Sequence, residues 1–187
     1  MTLLHKIVLV AGSPSRSSRS SWVLDAFGDR LRSNGAKIVR FSLDDFEAEA
    51  LLRGKTDHPS VSQFLAAVKD SAALVLSTPV YKSTYAGSLK TIVDLIDPVG
   101  LEGKGLLGIA TARLDLHLET VSQSFAQLAR FFRGCVAIPT ISLLDERIGQ
   151  PKNFRLDAIA DAALDEAARA IGSLPIAPDN VGRSLEA

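Results

Sequence analysis

A single cysteine, Cys135, among 187 residues excludes an internal disulfide and a cysteine-based metal site. It opens an apolar run and reads as a small buried hydrophobe rather than a nucleophile. Neither charge sign is in excess. The 21 basic and 21 acidic residues cancel, so neither nucleic acid nor an anionic membrane is an expected partner. Apolar runs stay well short of membrane-spanning length, and the first residues lack the basic, apolar, small-residue order of a signal peptide. A cytoplasmic location is the expectation. His5 and His58 lie outside any cluster, and His117 reads as a partly exposed residue at a helix start. Glycine is sparse where nucleotide motifs need it. The chain has no G-x-x-x-x-G-K-[ST] order for a triphosphate and no G-x-G-x-x-G order for a dinucleotide pyrophosphate.

What is present begins at Lys6-Ile-Val-Leu-Val-Ala-Gly-Ser-Pro-Ser-Arg-Ser-Ser-Arg-Ser-Ser21. An apolar run ends in a Gly-Ser-Pro turn, a loop rich in hydroxyls and arginine follows, and Val23, Ala26, Phe27 and Leu31 then repeat at helical spacing. This order aims the N–H groups and positive dipole end of a helix at one place, which suits an anion. Ser13, Ser15, Ser17, Ser18, Ser20 and Ser21 add hydroxyl donors, and Arg16 and Arg19 add charge-assisted ones. A loop of this kind fits a terminal monophosphate. The alternative is that the serines cap a helix and solvate its loop.

Apolar, strand-like runs recur at Lys6–Ala11, Lys37–Leu43, Ala73–Thr78, Leu106–Thr111 and Cys135–Leu143. Helical patterns lie between them, with Val61, Phe64, Leu65 and Val68 in one and Leu118, Val121, Phe125, Leu128 and Phe132 in another. A last one carries Leu156, Ile159, Ala163, Leu164 and Ile171. Five strands alternating with five helices predict an α/β domain, a parallel sheet with helices on both faces. The domain covers residues 1–174, and 175–187 reads as a tail.

Ligands of such sheets sit outside the carboxyl ends of the strands, where strand order reverses. With five strands in the order 2-1-3-4-5, the loops after strands one and three flank a single crevice. The third loop is Thr78-Pro-Val-Tyr-Lys-Ser-Thr-Tyr-Ala-Gly87, running into a helix over Ser88–Asp97, and it holds both tyrosines of the chain. Either tyrosine alone reads as a packing residue. Two such loops at one crevice favour a site in which the first holds a phosphate and the second a ring system.

Ala11-Gly-Ser-Pro14 with its Ser/Arg loop, Thr78-Pro-Val-Tyr-Lys-Ser-Thr-Tyr-Ala-Gly-Ser-Leu-Lys90 and Gly105-Leu-Leu-Gly-Ile-Ala-Thr111 together resemble the NADPH-dependent FMN reductase family. The similarity leans toward the reductases of two-component alkanesulfonate monooxygenases. It implies a flavodoxin-like three-layer sandwich, FMN as cofactor or substrate, and a hydride from NADPH or NADH. It also implies a homodimer or homotetramer and a flavin-dependent monooxygenase as partner. By the same resemblance Ser13, Ser18, Arg19, Ser20 and Ser21 match the phosphate loop. Pro79, Val80, Tyr81 and Ser83 match the segment against the isoalloxazine ring, Tyr85 and Gly87 lie toward the partner subunit and the next helix, and Thr111 opens a third flavin-contacting loop.

Two departures stand out. Where the family reads Ala-Thr-Gly-Gly, this chain has Ala110-Thr-Ala-Arg113, which puts side chains where glycines admit close backbone approach. Arg113 can meet the electron-rich edge of a reduced ring or point to solvent. Near Ser122–Ser124, where the alkanesulfonate branch carries tyrosine or histidine, this chain has Gln123. A quinone or azo reductase holding FMN is the alternative enzyme. A flavodoxin-type electron carrier fits less well, because such carriers are strongly acidic. The apolar content of the helix Leu118–Phe132 exceeds one core-facing stripe, so it is expected to meet a second copy of the chain across the site, with Tyr85.

Overall fold

A computed structural model describes residues 5–150 and 153–174. The tail expected from Pro175 onward lies outside the described residues. The elements alternate as β1 (Lys6–Ala11), α1 (Arg19–Ser33), β2 (Lys37–Ser42), α2 (Ala48–Leu52), α3 (Pro59–Lys69) and β3 (Ala73–Tyr81). Then come β4 (Thr84–Tyr85), α4 (Gly87–Val93), β5 (Gly105–Ala112), α5 (Asp115–Phe131), β6 (Val136–Leu144), β7 (Gly149–Gln150), β8 (Asn153–Phe154) and α6 (Ala158–Gly172). The five long strands run parallel in the order β2-β1-β3-β5-β6. Counted as long strands alone, this is the predicted 2-1-3-4-5 order of a flavodoxin-like sheet.

Alternation along each strand divides the interior into two cores. Ile7, Leu9, Val75 and Leu107 face α1 and α6, where they meet Phe27 and Leu164. Val8, Val10, Leu74 and Leu76 face the other way, against Phe64, Ile92 and Phe125 of α3, α4 and α5. A strand buried on both faces reads as a continuous apolar run, and β5 is buried along its whole length. Gly108 in β5 makes room for a neighbour: a Cβ there would lie 2.4 Å from the Phe125 ring.

Three local expectations need correction. The third strand runs to Tyr81 rather than Thr78, because Val80 and Tyr81 pair with Tyr85 and Thr84 in an antiparallel hairpin. The helix expected over Ser88–Asp97 is the shorter α4, ending at Val93. The stretch around Leu51 forms a sixth helix, α2, whose start is capped by the Glu47 carboxylate accepting from the N–H groups of Glu49 and Ala50.

Candidate active site

Parallel strands bring the ends of β1, β3 and β5 to one edge. Ala11 pairs with Ser77, Thr78 with Ala110, and Pro79 with Thr111. Above this edge, Gly12 donates its N–H to the Ser77 carbonyl at 2.8 Å, and its own carbonyl accepts from Ser88 Oγ of α4 at 2.7 Å. Only glycine fits between them, since a Cβ at Gly12 would lie 2.6 Å from Leu89 Cβ and 2.8 Å from the Ser77 oxygen. The start of α4 is thereby fastened to the end of β1.

The polar loop after Gly12 leads into the N-terminus of α1. Ser13 Oγ accepts from the Ser15 N–H at 3.1 Å. Ser18 caps α1, accepting from the Ser21 N–H at 3.0 Å, with the Ser20 and Ser21 hydroxyls at 3.1 and 2.8 Å from its oxygen. The N–H groups of Arg19 and Ser20 have no partner within the helix, as expected for a first turn. Ser13, Ser20 and Ser21 are buried and therefore preset rather than loose. The arginines behave differently. Arg16 forms a two-pronged pair with Asp44, at 2.8 and 2.9 Å, and the hydrogen bond and charge of Asp44 raise its pKa further. Arg19 reaches away from the loop, to the Gly149 carbonyl at 2.9 Å, Gln150 Oε1 at 3.3 Å and Asp145 at 3.3 Å. A charge-assisted bond from the Arg19 guanidinium into the loop is therefore not what this geometry presents; its backbone N–H remains there.

The opposite wall is the β3–β4 hairpin. Thr78 Oγ1 accepts from the Ala86 N–H at 2.9 Å and donates to the Pro79 carbonyl at 2.7 Å, which closes the base of the hairpin. Pro79 and Val80 are half-buried, and Tyr81 is 47% exposed at its outer side. Lys82 and Ser83 form the turn with φ of 51° and 65°. Ser83 Oγ lies 3.0 Å from His117 Nδ1, Thr84 Oγ1 donates to Ser124 Oγ at 3.2 Å, and the Tyr85 ring packs 5.6 Å from that of Phe125. Tyr85 thus packs against α5 of its own chain, and Phe125 and Phe132 are core residues. Of the apolar residues expected to meet a second copy, Phe131, Leu116 and, just before the helix, Leu114 are exposed, whereas Phe125 and Phe132 are not. Thr111 is buried at the end of β5, and Arg113 is exposed beyond it.

Two observations test whether a flavin mononucleotide suits this edge. The Ser77 hydroxyl, in β3 level with the end of β1, is fully buried and finds no hydrogen-bond partner among the described residues. At Gly87, the first residue of α4, an added Cβ would meet nothing within 4 Å. Unsatisfied donors at the α1 start and open space at the α4 start are what an anionic head with a flat ring requires. The donor set fits. Among the described residues no cluster of histidine, cysteine or carboxylates could hold a metal ion.

A model of the NADPH-dependent FMN reductase family matches residues 5–148. The chain belongs to that family. It is 39% identical over 115 residues to an FMN reductase (NADPH) of Pseudomonas putida, a match covering 62% of this chain and 58% of that protein. A second FMN reductase (NADPH), from Escherichia coli, is 34% identical over 116 residues, covering 62% of this chain and 61% of that protein. The chain thus spans about three-fifths of the length of these relatives. The fold is shared with the apo form of an NADH:FMN oxidoreductase (EMOB), with a TM-score of 0.84 and 21% identity over 93% of this chain and 92% of that one.

Within the FMN reductase frame, two features of this edge escaped the sequence. One is the β7–β8 hairpin, which braces the start of α1: Trp22 packs 5.1 Å from Phe154, and Arg19 holds Gly149. Its strands are two residues each, too short for any alternation to register. The other is the contact between His117 and Ser83, which are 34 positions apart and share no motif.

Proposed function

We propose that the chain is an NAD(P)H-dependent FMN reductase, moving a hydride from NADPH or NADH to FMN. The observation that carries this reading is the junction of a serine-capped helix start and a hairpin at one sheet edge, beside the β1/β3 switch point. FMN, when bound, would supply the hydride-accepting ring. The residues supply position and electrostatics. Ser13, Ser18, Ser20 and Ser21, with the N–H groups of Arg19 and Ser20, hold the phosphate on the positive end of α1. Pro79, Val80, Tyr81 and Ser83 form the wall against the ring, with Pro79 and Val80 excluding water. Thr111 borders the ring from β5, and Arg113 is an exposed cation for its electron-rich edge.

The reduced flavin is delivered to a partner monooxygenase by a homodimer or homotetramer, whose formation is supported by the exposed Leu114, Leu116 and Phe131. No helix among the described residues is long and apolar enough to cross a membrane.

Flavin fluorescence quenching tests the site. Wild-type protein should quench FMN, and Ser18→Ala, which removes both the cap and a loop hydroxyl, should weaken binding about tenfold. Anaerobic addition of NADPH or NADH should then bleach the flavin absorbance. Quenching without bleaching by either nucleotide selects the electron-carrier reading instead.

A further inference from the structure

We infer that His117 is a positioning residue that locks the Lys82–Ser83 turn and so sets the hairpin wall on which flavin binding depends. This rests on the FMN reductase reading given above. Two-residue hairpin turns with positive φ at both central positions favour Asn-Gly, because a Cβ crowds the backbone in that region. Here the positions hold Lys82 and Ser83, at 51° and 65°. A turn of that kind persists only where its surroundings hold it.

The surroundings are one face of α5. Ser124 and Phe125 lie seven and eight residues after His117, which puts all three on one broad face of the helix, and each takes one hairpin residue. Phe125 is itself pinned against Gly108, so the platform is rigid. Of the three contacts, only that of His117 reaches a residue inside the strained turn. Tyr81, on the near side of the turn, is too exposed to hold it. Without His117 the turn samples other conformations, and apparent affinity falls with the fraction of competent hairpin.

The test uses His117→Leu, which keeps apolar volume, and His117→Asn, whose amide places a polar atom near the position of Nδ1. Amide hydrogen exchange on flavin-free protein reads the lock directly. The His117→Leu variant should exchange Lys82–Ala86 faster than wild type, and the His117→Asn variant should restore protection. In turnover, His117→Leu should raise KM for FMN about 3- to 10-fold with kcat changed less than about twofold, the size of one lost hydrogen bond, and His117→Asn should recover most of it. In a Ser83→Ala background the His117→Leu substitution should add less than about twofold, since the partner is already gone. Unchanged exchange overturns the lock. Faster exchange with unaltered KM, or a His117→Asn variant no better than His117→Leu, overturns the positioning role. Failure of wild-type protein to quench FMN overturns the functional reading and the flavin half of this proposal, while the exchange result still decides the lock.

Discussion

The two ends of the same sheet are finished differently. At the amino edge, Lys104 is buried and donates from Nζ to the carbonyls of Lys69 and Ser71, at 2.7 and 2.6 Å, satisfying groups at the end of α3. Leu174 and Ile138 close over Gly105, and Val136 takes its place beside β5. At the carboxyl edge the Ser77 hydroxyl has no partner among the described residues, the first N–H groups of α1 have none within the helix, and two non-glycine residues hold positive φ. Buried polar groups are ordinarily paired, so the Ser77 hydroxyl is the unusual one of these, while the α1 N–H groups are free as in any first turn. The contrast is one of degree: His5 Nε2, just before β1 at the amino edge, is also buried without a partner among the described residues, and what the carboxyl edge adds is an open helix start and a turn at positive φ.

Two glycines, one at each edge, sharpen the contrast most. Gly12→Ala forces a Cβ onto backbone and onto Leu89 Cβ, neither of which can swing aside. Overpacking of this kind costs about 3 kcal/mol, and it pries α4 from β1, so FMN binding should fall with it. Thermal unfolding and flavin titration check both effects. Lys104→Met comes next. It leaves two carbonyls without their charged donor, for a loss of about 2 kcal/mol, with FMN affinity unchanged because the amino edge takes no part in binding.

The same lysine has a pH signature. Burial pushes the Lys104 pKa below the ordinary lysine value. In the window between the folded and unfolded pKa values the unfolded chain binds more protons, so stability rises as pH climbs toward the ordinary lysine value. Denaturant melts of wild type against Lys104→Met should show that rise only in wild type. Gly105→Ala is milder still, at about 1 kcal/mol. The atoms it meets within 3.1 Å are the terminal methyl carbons of Leu174 and Ile138, which can yield. Equal losses for Gly12→Ala and Gly105→Ala would erase the distinction between a rigid and a yielding edge.

Legibility followed the same division. Strand order and the two-core layering were readable because β1, β3 and β5 are buried over most of their length and each carries an apolar run, over residues 7–11, 73–76 and 105–110. The position of the crevice followed from strand order alone. The hydroxyl loop was readable by composition, but the direction of its arginines was not, since Arg16 and Arg19 are oriented by Asp44 and by the β7–β8 segment, 28 and about 130 residues away. Nothing local distinguishes an arginine aimed at a ligand from one aimed at a carboxylate. The hairpin was legible as a loop only. Lys82-Ser83 is a poor sequence for a two-residue turn of this type, and the contacts that enforce it come from α5. Where local preference and observed conformation disagree, tertiary contacts have overridden the chain's own tendency, and that disagreement falls at the candidate site.

The smallest expected effect concerns Cys135, at the amino edge just before β6. It is half-buried, and burial pushes its thiol up to about 11. The thiolate is the reactive form. Raising the pKa by about two units from an ordinary thiol near 9 lowers the thiolate fraction at neutral pH about a hundredfold. Reaction with an aromatic disulfide reagent at pH 8 should therefore be slow in native protein and fast after denaturation. Because Cys135 sits at the edge that takes no ligand, saturating FMN should leave the slow rate unchanged, and Cys135→Ser should leave turnover at the wild-type value. A rapidly reacting Cys135 protected by FMN would join the two edges into one functional surface and break the comparison.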